Sequence, residues 1–436
     1  MVYCLLPITG RSERGVSSRA LCRTPMVETI ENRGLKMLNH IAVVGGSLAG
    51  LRTVEALRRE GFEGRITVIG AEDELPYDRP PLSKQFLVDD WEEEKLALAR
   101  NGVEELKADW MVGCAAESLD VEAKRLKLAD GTHVEADAIV LGTGARPLRL
   151  PFGEGLEGVL ALRNLADARR LRGAIANAPR VVVVGAGFIG MEVAASCRQK
   201  GLDVSVVESL PAPLIRGLGS RLGERVAKRH REEGIVFHLG VTIDGFEGEG
   251  QVTGVTLSGG ETLPAELVIV GIGATPATEW LEGAGLEIDD GVLCDATGST
   301  GHEGIYALGD CARWLNARYP ERPRFEHWTS AVEQSNVVAQ RIMHSETEAF
   351  APVPYVWTDQ FNLRIAIAGE IQEGDEMHVC LGSIEEDRFL ALFGREGRLA
   401  AAVGFKRPRQ LNGMRRKMAE GEGISFADAV AEHAES

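Results

Sequence analysis

Apolar residues along this chain fall into short β-branched runs that alternate with segments of helical spacing. The run "HIAVVGG" (40–46) ends in glycines and predicts a buried parallel strand. In "LAGLRTVEALRREGF", which follows, large apolar residues recur at every third position, as on one face of a helix. The next run, "RITVIG" (65–70), completes a β-α-β unit, whose connection should be right-handed.

The same pattern occurs a second time, in "RVVVVGAGFIGMEVAASCRQKGLDVSVVES" (180–209). A hairpin-like segment and a closing apolar strand follow each unit, at 124–145 and 251–274. From about residue 350 the pattern changes to antiparallel strands, with a helix near 408–419. These patterns predict an α/β fold with two Rossmann-like dinucleotide-binding domains and a C-terminal α+β domain.

Composition narrows the classes of function. The 436 residues carry a formal net charge of −17, which argues against general nucleic-acid binding and against adhesion to anionic membranes. No run of about 18 apolar residues predicts a membrane span. The seven cysteines include no C-x-x-C pair, so we expect a reduced, cytoplasmic protein with neither a disulfide framework nor a zinc site.

The first 36 residues differ from the rest. They are rich in arginine, glycine and serine, show no periodicity, and contain no apolar segment of the kind found in secretory signals. An Arg- and Ser-rich start also occurs in transit peptides, but Glu13, Glu28 and Glu31 count against that reading. We therefore expect a flexible extension, with Met37 immediately before the first folded strand.

The second glycine turn has every feature of a dinucleotide site. Gly185 permits the tight turn, Gly187 lets the backbone approach a pyrophosphate, and Gly190 lets the helix pack closely on the strand. The helix N-terminus then offers N–H groups to the phosphates. Glu208, at the end of the next strand, is placed to bind both ribose hydroxyls and to repel a 2′-phosphate, which favours NADH over NADPH.

The first glycine turn is less complete. Gly45 and Gly50 are present, but Ser47 replaces the middle glycine. The acid that should end the second strand is displaced to Glu72, after Ala71. Judged on these residues alone, the turn either binds a dinucleotide or serves packing only.

Six further stretches occur in a fixed order. Together they resemble the FAD-dependent ferredoxin reductases that serve Rieske-type dioxygenases and haem-thiolate monooxygenases, over about residues 39 to 410. The stretches are "LPYDRPPLSKQFL" (75–87), "GTGARPLRLP" (142–151), "GIGATPATEWL" (271–281), "GIYALGDCARW" (304–314), "FEHWTSAVEQ" (325–334) and "VPYVWTDQFNLRI" (353–365).

The resemblance implies a glutathione-reductase-like architecture, in which the FAD domain is discontinuous. We expect the extension at 1–36, the FAD-binding domain at 37–149 and 266–347, the NAD-binding domain at 150–265, and the C-terminal domain at 348–436.

The resemblance also assigns cofactor contacts. Lys84 should lie near the reactive edge of the flavin, Asp310 should bind the ribityl chain, and Trp328 should lie by the flavin ring. The residues implied for FAD are Gly45, Ser47, Leu48, Ala49, Gly50, Glu72, Arg79, Lys84, Ala116, Thr143, Gly144, Arg146, Gly309, Asp310 and Trp328. Those for NADH are Gly185, Gly187, Ile189, Gly190, Glu208 and Gly273.

The activity implied is transfer of a hydride from NADH to FAD and of single electrons to an acidic [2Fe–2S] ferredoxin. Lys84 and Glu192 resemble a pair that acts beside the flavin in this family. Two basic stretches, within Arg313–Arg324 and Lys406–Lys417, are candidates for docking the ferredoxin. Disulfide reductases of the fold carry redox cysteines near the first β-α-β unit, and "DRPPLSKQFL" has none.

Two alternatives remain open at this stage. One is a rubredoxin or monodehydroascorbate reductase of the same fold. The other is a redox-sensing protein with slow turnover that resembles apoptosis-inducing factor.

Overall fold

The structure is a computed structural model that describes residues 38–89, 91–99, 102–319, 322–344 and 347–434. The predicted extension at 1–36 lies outside these residues. Within the described part, the fold is organised by two parallel sheets and one antiparallel sheet of five strands each.

The first parallel sheet begins with the first β-α-β unit. The elements from residue 38 to 147 are β1 (His40–Val44), α1 (Leu48–Arg59), β2 (Arg65–Ile69), α2 (Gln85–Val88), β3 (Asp109–Met111), β4 (Ala116–Asp120), β5 (Arg125–Leu128), β6 (His133–Glu135), β7 (Ala138–Leu141) and β8 (Ala145–Pro147). Strand β1 pairs in parallel with β2 and β7, and its residues Ile41 to Val44 are buried because helices and strands cover both faces of the sheet. Strands β4 to β6 form a separate antiparallel sheet.

The second parallel sheet is built from the middle of the chain. Its part of the chain contains β9 (Val159–Ala161), α3 (Leu165–Ile175), β10 (Arg180–Val184), α4 (Phe188–Gln199), β11 (Asp203–Glu208), α5 (Ile215–Glu232), β12 (Val236–Leu239), β13 (Ile243–Glu247), β14 (Gly254–Leu257), β15 (Thr262–Pro264) and β16 (Leu267–Val270). The sheet order is β12-β11-β10-β16-β9, with β13 to β15 in a small antiparallel sheet.

The position of strand β16 differs from the predicted domain boundary at residue 266. We expected the chain to return to the first domain at residue 266, but β16 pairs in parallel with β10 inside the second sheet. The crossing therefore follows Val270. The physical reason is that the backbone groups of a buried strand need hydrogen-bond partners along both edges, and β16 finds them in β10 and β9.

The returning chain completes the first sheet. Its elements are β17 (Ala274–Pro276), β18 (Val292–Cys294), β19 (Ile305–Ala307), β20 (Ala312–Trp314) and α6 (Trp328–Met343). Strand β19 joins β7, giving the order β19-β7-β1-β2-β3, and α6 packs on α1. Strand β17 pairs with β8, so the outgoing and returning connections run side by side.

The last part of the chain is an antiparallel sheet with two helices. It contains β21 (Tyr355–Gln360), β22 (Leu363–Gly369), β23 (Glu376–Ser383), β24 (Arg388–Arg395), β25 (Arg398–Phe405), α7 (Pro408–Ala419) and α8 (Phe426–Ala434). One face of this sheet shares a hydrophobic core with the second parallel sheet. The predicted fold class, including the helix near 408–419, is confirmed. Across the described ranges, no helix combines the length and apolar character needed to cross a bilayer.

Candidate active site

Both glycine turns lead into helices whose N-termini lack a capping side chain. The N-cap residues are Ser47 for α1 and Gly187 for α4; neither makes a side-chain cap, and neither helix has an acid in its first turn. Helix α3, by contrast, is closed by a capping box of Asn164 and Asp167. The first N–H groups of α1 and α4 are therefore available to an anion at the positive end of each helix dipole.

The turns differ at their middle position. At Gly45 a Cβ would lie 2.1 Å from the Gly142 carbonyl oxygen, so the first position requires glycine. At Gly187 a Cβ would meet no atom within 4 Å, which leaves space above the turn for a ligand. Ser47 takes the equivalent place in the first turn with an extended backbone that any residue adopts.

A cleft of about 1310 Å³ opens at the carboxyl ends of the first parallel sheet. This edge is where parallel α/β sheets bind ligands. The predicted residues that line it are Gly45, Ser47, Leu48, Ala49, Glu72, Arg79, Lys84, Ala116, Thr143, Gly144, Arg146, Ile189, Glu192, Gly309, Asp310 and Trp328. The predicted residues outside its lining are Gly50, Gly185, Gly187, Gly190, Glu208 and Gly273.

Glu72 is held by two neighbours in the cleft wall. Arg79 donates to Glu72 Oε1 over 2.5 Å, and the Tyr77 hydroxyl donates to Oε2. Burial raises the pKa of Tyr77, so the phenol stays a donor. Arg79 also approaches Ser47 Oγ at 3.4 Å, which brings the displaced acid next to the first glycine turn.

Arg163 is a cleft residue that the sequence analysis missed. Its guanidinium Nη2 donates to Asp310 Oδ2 over 2.8 Å, and its carbonyl oxygen accepts from Arg79. Arg163 follows β9 at the carboxyl edge of a parallel sheet, which is the one sequence signal for it. Arg146, which also lines the cleft, is more than half exposed, and its Nη1 lies 3.4 Å from Glu279 Oε2.

The Lys84 ammonium and the Glu192 carboxylate meet in the interior of the cleft. Lys84 Nζ lies 2.7 Å from Glu192 Oε2, and the two side chains are only 13% and 7% exposed. The Ser83 hydroxyl donates to the same oxygen over 2.5 Å. Lys84 follows the 3₁₀ helix Pro80–Ser83 while Glu192 lies on α4, so the pair joins the segment after the first β-α-β unit to the helix of the second.

Aromatic side chains line one wall of the cleft. Trp328 Nε1 donates to Asp78 Oδ1 over 3.0 Å, and the Trp328 and Trp357 rings meet edge to face at 6.3 Å. Burial raises the pKa of Asp78, although the Trp328 bond and the Lys84 charge oppose this. Burial also lowers the pKa of His327, in the same wall, to about 4.

Glu208 occupies the end of β11, beside the second glycine turn. Its Oε2 accepts from the Ala186 N–H over 2.7 Å, and its Oε1 accepts from the Leu210 N–H over 2.9 Å. These backbone bonds fix the carboxylate against the turn and leave lone pairs for further donors, since an ionised carboxylate accepts about four hydrogen bonds.

Comparison with known proteins identifies the family. The model of the pyridine nucleotide-disulphide oxidoreductases matches residues 39–335, and that of the reductase C-terminal domain matches residues 355–435. This chain belongs to the pyridine nucleotide-disulphide oxidoreductase family.

Several proteins similar to this chain are ferredoxin reductases. The ferredoxin–NAD(+) reductase subunit of the benzene 1,2-dioxygenase system of Pseudomonas putida is 37% identical over 86% of this chain and 90% of its own length. Rhodocoxin reductase of Rhodococcus erythropolis is 35% identical, with coverages of 85% and 87%. The covalent putidaredoxin reductase–putidaredoxin complex contains a chain that is similar in structure, with a TM-score of 0.83, 30% identity and coverages of 87% and 92%.

The described cysteines of this chain form no disulfide bond. The five described cysteines, Cys114, Cys197, Cys294, Cys311 and Cys380, are all free. Burial raises the pKa of Cys197 to about 12 and that of Cys380 to about 11, so both stay protonated at neutral pH. Cys4 and Cys22 lie outside the described residues.

The two predicted basic stretches differ in how far they are engaged inside the molecule. Arg318 donates to the carbonyls of Ala351 and Met418, and Arg324, 9% exposed, pairs with Asp290. In the second stretch, Arg415 pairs with Glu333. Arg409 and Arg416 of α7 are exposed.

Proposed function

We propose that this protein takes a hydride from NADH onto FAD and passes the electrons singly to a [2Fe–2S] ferredoxin that serves an oxygenase. The observation that carries the proposal is the Lys84–Glu192 pair, which joins the cleft below the first glycine turn to the helix of the second. The ferredoxin reductases among its relatives support the same activity.

The residues present fit FAD. The uncapped N-terminus of α1 suits the pyrophosphate, with Arg79 and Arg163 as cations nearby. His327 Nδ1 is buried without a hydrogen-bond partner in the described part of the chain, and His327 lines the cleft, as expected where a polar ligand binds. Asp310 supplies an acceptor for hydroxyl groups. We therefore assign the first sheet, with the return segment after Val270, to FAD and the second sheet to NADH.

When bound, the flavin accepts a hydride and releases electrons one at a time. The contribution of this chain is orientation and charge. Lys84 holds a positive charge at the cleft, where it favours negative charge on a reduced ligand. Glu192 fixes the position of that ammonium group. The Trp328 and Trp357 rings supply an apolar wall to the same cleft.

The choice of NADH rests on Glu208. A carboxylate fixed at the end of β11 accepts hydrogen bonds from ribose hydroxyls and repels a phosphate at the same place.

We propose that the ferredoxin docks near α7. Arg409 and Arg416 are exposed there, whereas Arg318 and Arg324 are engaged inside the molecule. Opposite charge on an acidic ferredoxin would mainly raise the association rate, so salt should weaken the coupling.

The test is NADH-driven reduction of purified [2Fe–2S] ferredoxins, of rubredoxin and of monodehydroascorbate by the FAD-loaded enzyme, with NADPH in parallel. We expect rapid multiple turnover with a [2Fe–2S] ferredoxin and NADH. Slow turnover with every acceptor would favour the redox-sensing alternative. Faster reduction of rubredoxin or of monodehydroascorbate would make that molecule, and not a ferredoxin, the electron acceptor. Arg416→Glu should lower the rate with ferredoxin at low salt, while Arg125→Glu, an exposed arginine on β5, serves as the control.

A further inference from the structure

The Glu192 carboxylate accepts hydrogen bonds from two distant parts of the chain. Its Oε2 accepts from Ser83 and Lys84, which precede α2, and its Oε1 accepts from the C-terminal sheet. The donor there is Thr358 on β21, whose Oγ1 lies 2.8 Å from Oε1. The Asp359 N–H adds a longer bond of 3.3 Å to the same oxygen.

The hydroxyl group of Thr358 lies between Gln360 and Glu192. Its side chain is fully buried, and Gln360 Nε2 donates to Thr358 Oγ1 over 3.1 Å. Because a hydroxyl has a single proton and its acceptor side is engaged by Gln360, that proton is directed at Glu192. A hydrogen bond to a buried carboxylate is among the stronger kinds in proteins.

We propose that Thr358 is a positioning residue for Lys84, acting through Glu192. With Oε1 held by Thr358, only Oε2 faces Ser83 and Lys84, so the ammonium group is kept at one place in the cleft. Without the hydroxyl, Oε1 would retain only the long bond from Asp359. The carboxylate would then be free to rotate and to draw Lys84 away from the cleft. The inference rests on the proposed role of Lys84 and extends it to the C-terminal domain, which the sequence motifs did not connect with the chemistry.

The test compares three isolated substitutions in the FAD-loaded protein. Thr358→Val removes the hydroxyl and keeps the shape, and Thr358→Ser keeps the hydroxyl. Thr53→Val is the matched control, because Thr53 is equally buried and donates to the Ala49 carbonyl, away from Glu192. The readouts are the midpoint potential of the flavin, measured by dye equilibration, and the stopped-flow rate of flavin reduction by NADH.

We expect Thr358→Val to lower the midpoint potential and to slow flavin reduction by about tenfold, as loss of one hydrogen bond to a charged group implies. Thr358→Ser should restore both, and Thr53→Val should change neither. In a Glu192→Gln background, Thr358→Val should have little further effect, because the two residues act in series. Should Thr358→Val fail to retain FAD, Thr358→Cys, with its weak S–H donor, takes its place under the same criteria.

The inference is overturned if Thr358→Val matches Thr53→Val, or if Thr358→Ser is as slow as Thr358→Val. Lys84→Met separates this failure from failure of the proposed function. If Lys84→Met slows flavin reduction and Thr358→Val does not, only the positioning role is lost. If Lys84→Met itself leaves reduction unchanged, the proposed role of Lys84 is wrong.

Discussion

Arg163 donates to Asp310 over 2.8 Å between Nη2 and Oδ2, and the pair joins the loop after β9 of the second sheet to the loop after β19 of the first. Both side chains line the cleft. Asp310 accepts a hydrogen bond from the Arg163 guanidinium group, so a phosphate that entered the cleft would compete with Asp310 for Arg163. We propose that the pair lies in the part of the cleft that binds FAD.

Arg163→Met should weaken FAD binding. The substitution removes a cation from the cleft and leaves Asp310 without its partner, so we expect the Kd for FAD to rise by at least about tenfold. Quenching of flavin fluorescence on titration of the apoprotein measures this Kd. Arg169→Met, which breaks an exposed pair with Glu93, is the control and should leave the Kd unchanged. Equal Kd values for the two variants would show that Arg163 has no part in binding FAD.

Glu208→Gln should reduce the preference for NADH. The change removes the negative charge that repels a 2′-phosphate and keeps an oxygen for the backbone N–H groups of Ala186 or Leu210. We expect the ratio of kcat/KM for NADH to that for NADPH to fall by about tenfold, since charge-assisted hydrogen bonds contribute energies of this order. Steady-state kinetics with both nucleotides measures the ratio. A ratio equal to that of the wild type would place nucleotide selection elsewhere.

Ser47→Gly should leave the FAD content nearly unchanged. Ser47 has an extended backbone that does not require glycine, and its side chain makes no cap to α1. Its hydroxyl oxygen lies 3.4 Å from the Arg79 guanidinium Nε, which is a long hydrogen bond. The ratio of flavin to protein absorbance after purification checks this outcome. A large gain in flavin would mean that the serine weakens the site.

The stability of the protein should fall as the pH drops from 6.5 towards 4, in part because of His230. Burial lowers the pKa of His230 to about 4, while the unfolded chain binds its proton near 6.5. On acidification, His230 is therefore protonated at a higher pH in the unfolded state than in the folded state. The resulting decrease in the free energy of unfolding begins near pH 6.5, reaches about 3 kcal/mol at pH 4 and is complete below that pH. His327 contributes in the same direction.

His230→Gln should remove that component of the pH dependence. Glutamine does not titrate, and it lacks the ring that meets Phe237 and Phe361, so the variant should be less stable at pH 7 but should lose less stability on acidification. Urea unfolding at pH 7, 5.5 and 4.5 measures both quantities. His133→Gln, an exposed histidine on β6, is the control. Parallel curves for the wild type and His230→Gln would contradict the assignment.

Local patterns were sufficient for the architecture. The β-branched runs at β1 and β10 and the glycines after them predicted two β-α-β units, because a buried parallel strand and a tight turn each restrict which residues fit. The change of pattern after residue 350 predicted the antiparallel sheet. The point where the chain crosses between the domains was harder to predict from the sequence. The apolar run of β16 suits a strand of either parallel sheet, and only its pairing with β10 assigns it to the second.

The sequence by itself determined the positions of the two glycine turns and of the Glu208 carboxylate after the second. Through the resemblance it also pointed to Lys84 and Glu192 as candidates. Only the tertiary structure decided which distant groups share a contact. Arg163 stands outside every glycine motif and reaches Asp310, 147 positions away, through the packing of two sheets. Thr358 reaches Glu192 because the C-terminal sheet shares a core with the second parallel sheet. Such contacts depend on long-range packing, for which short-range periodicity carries no information.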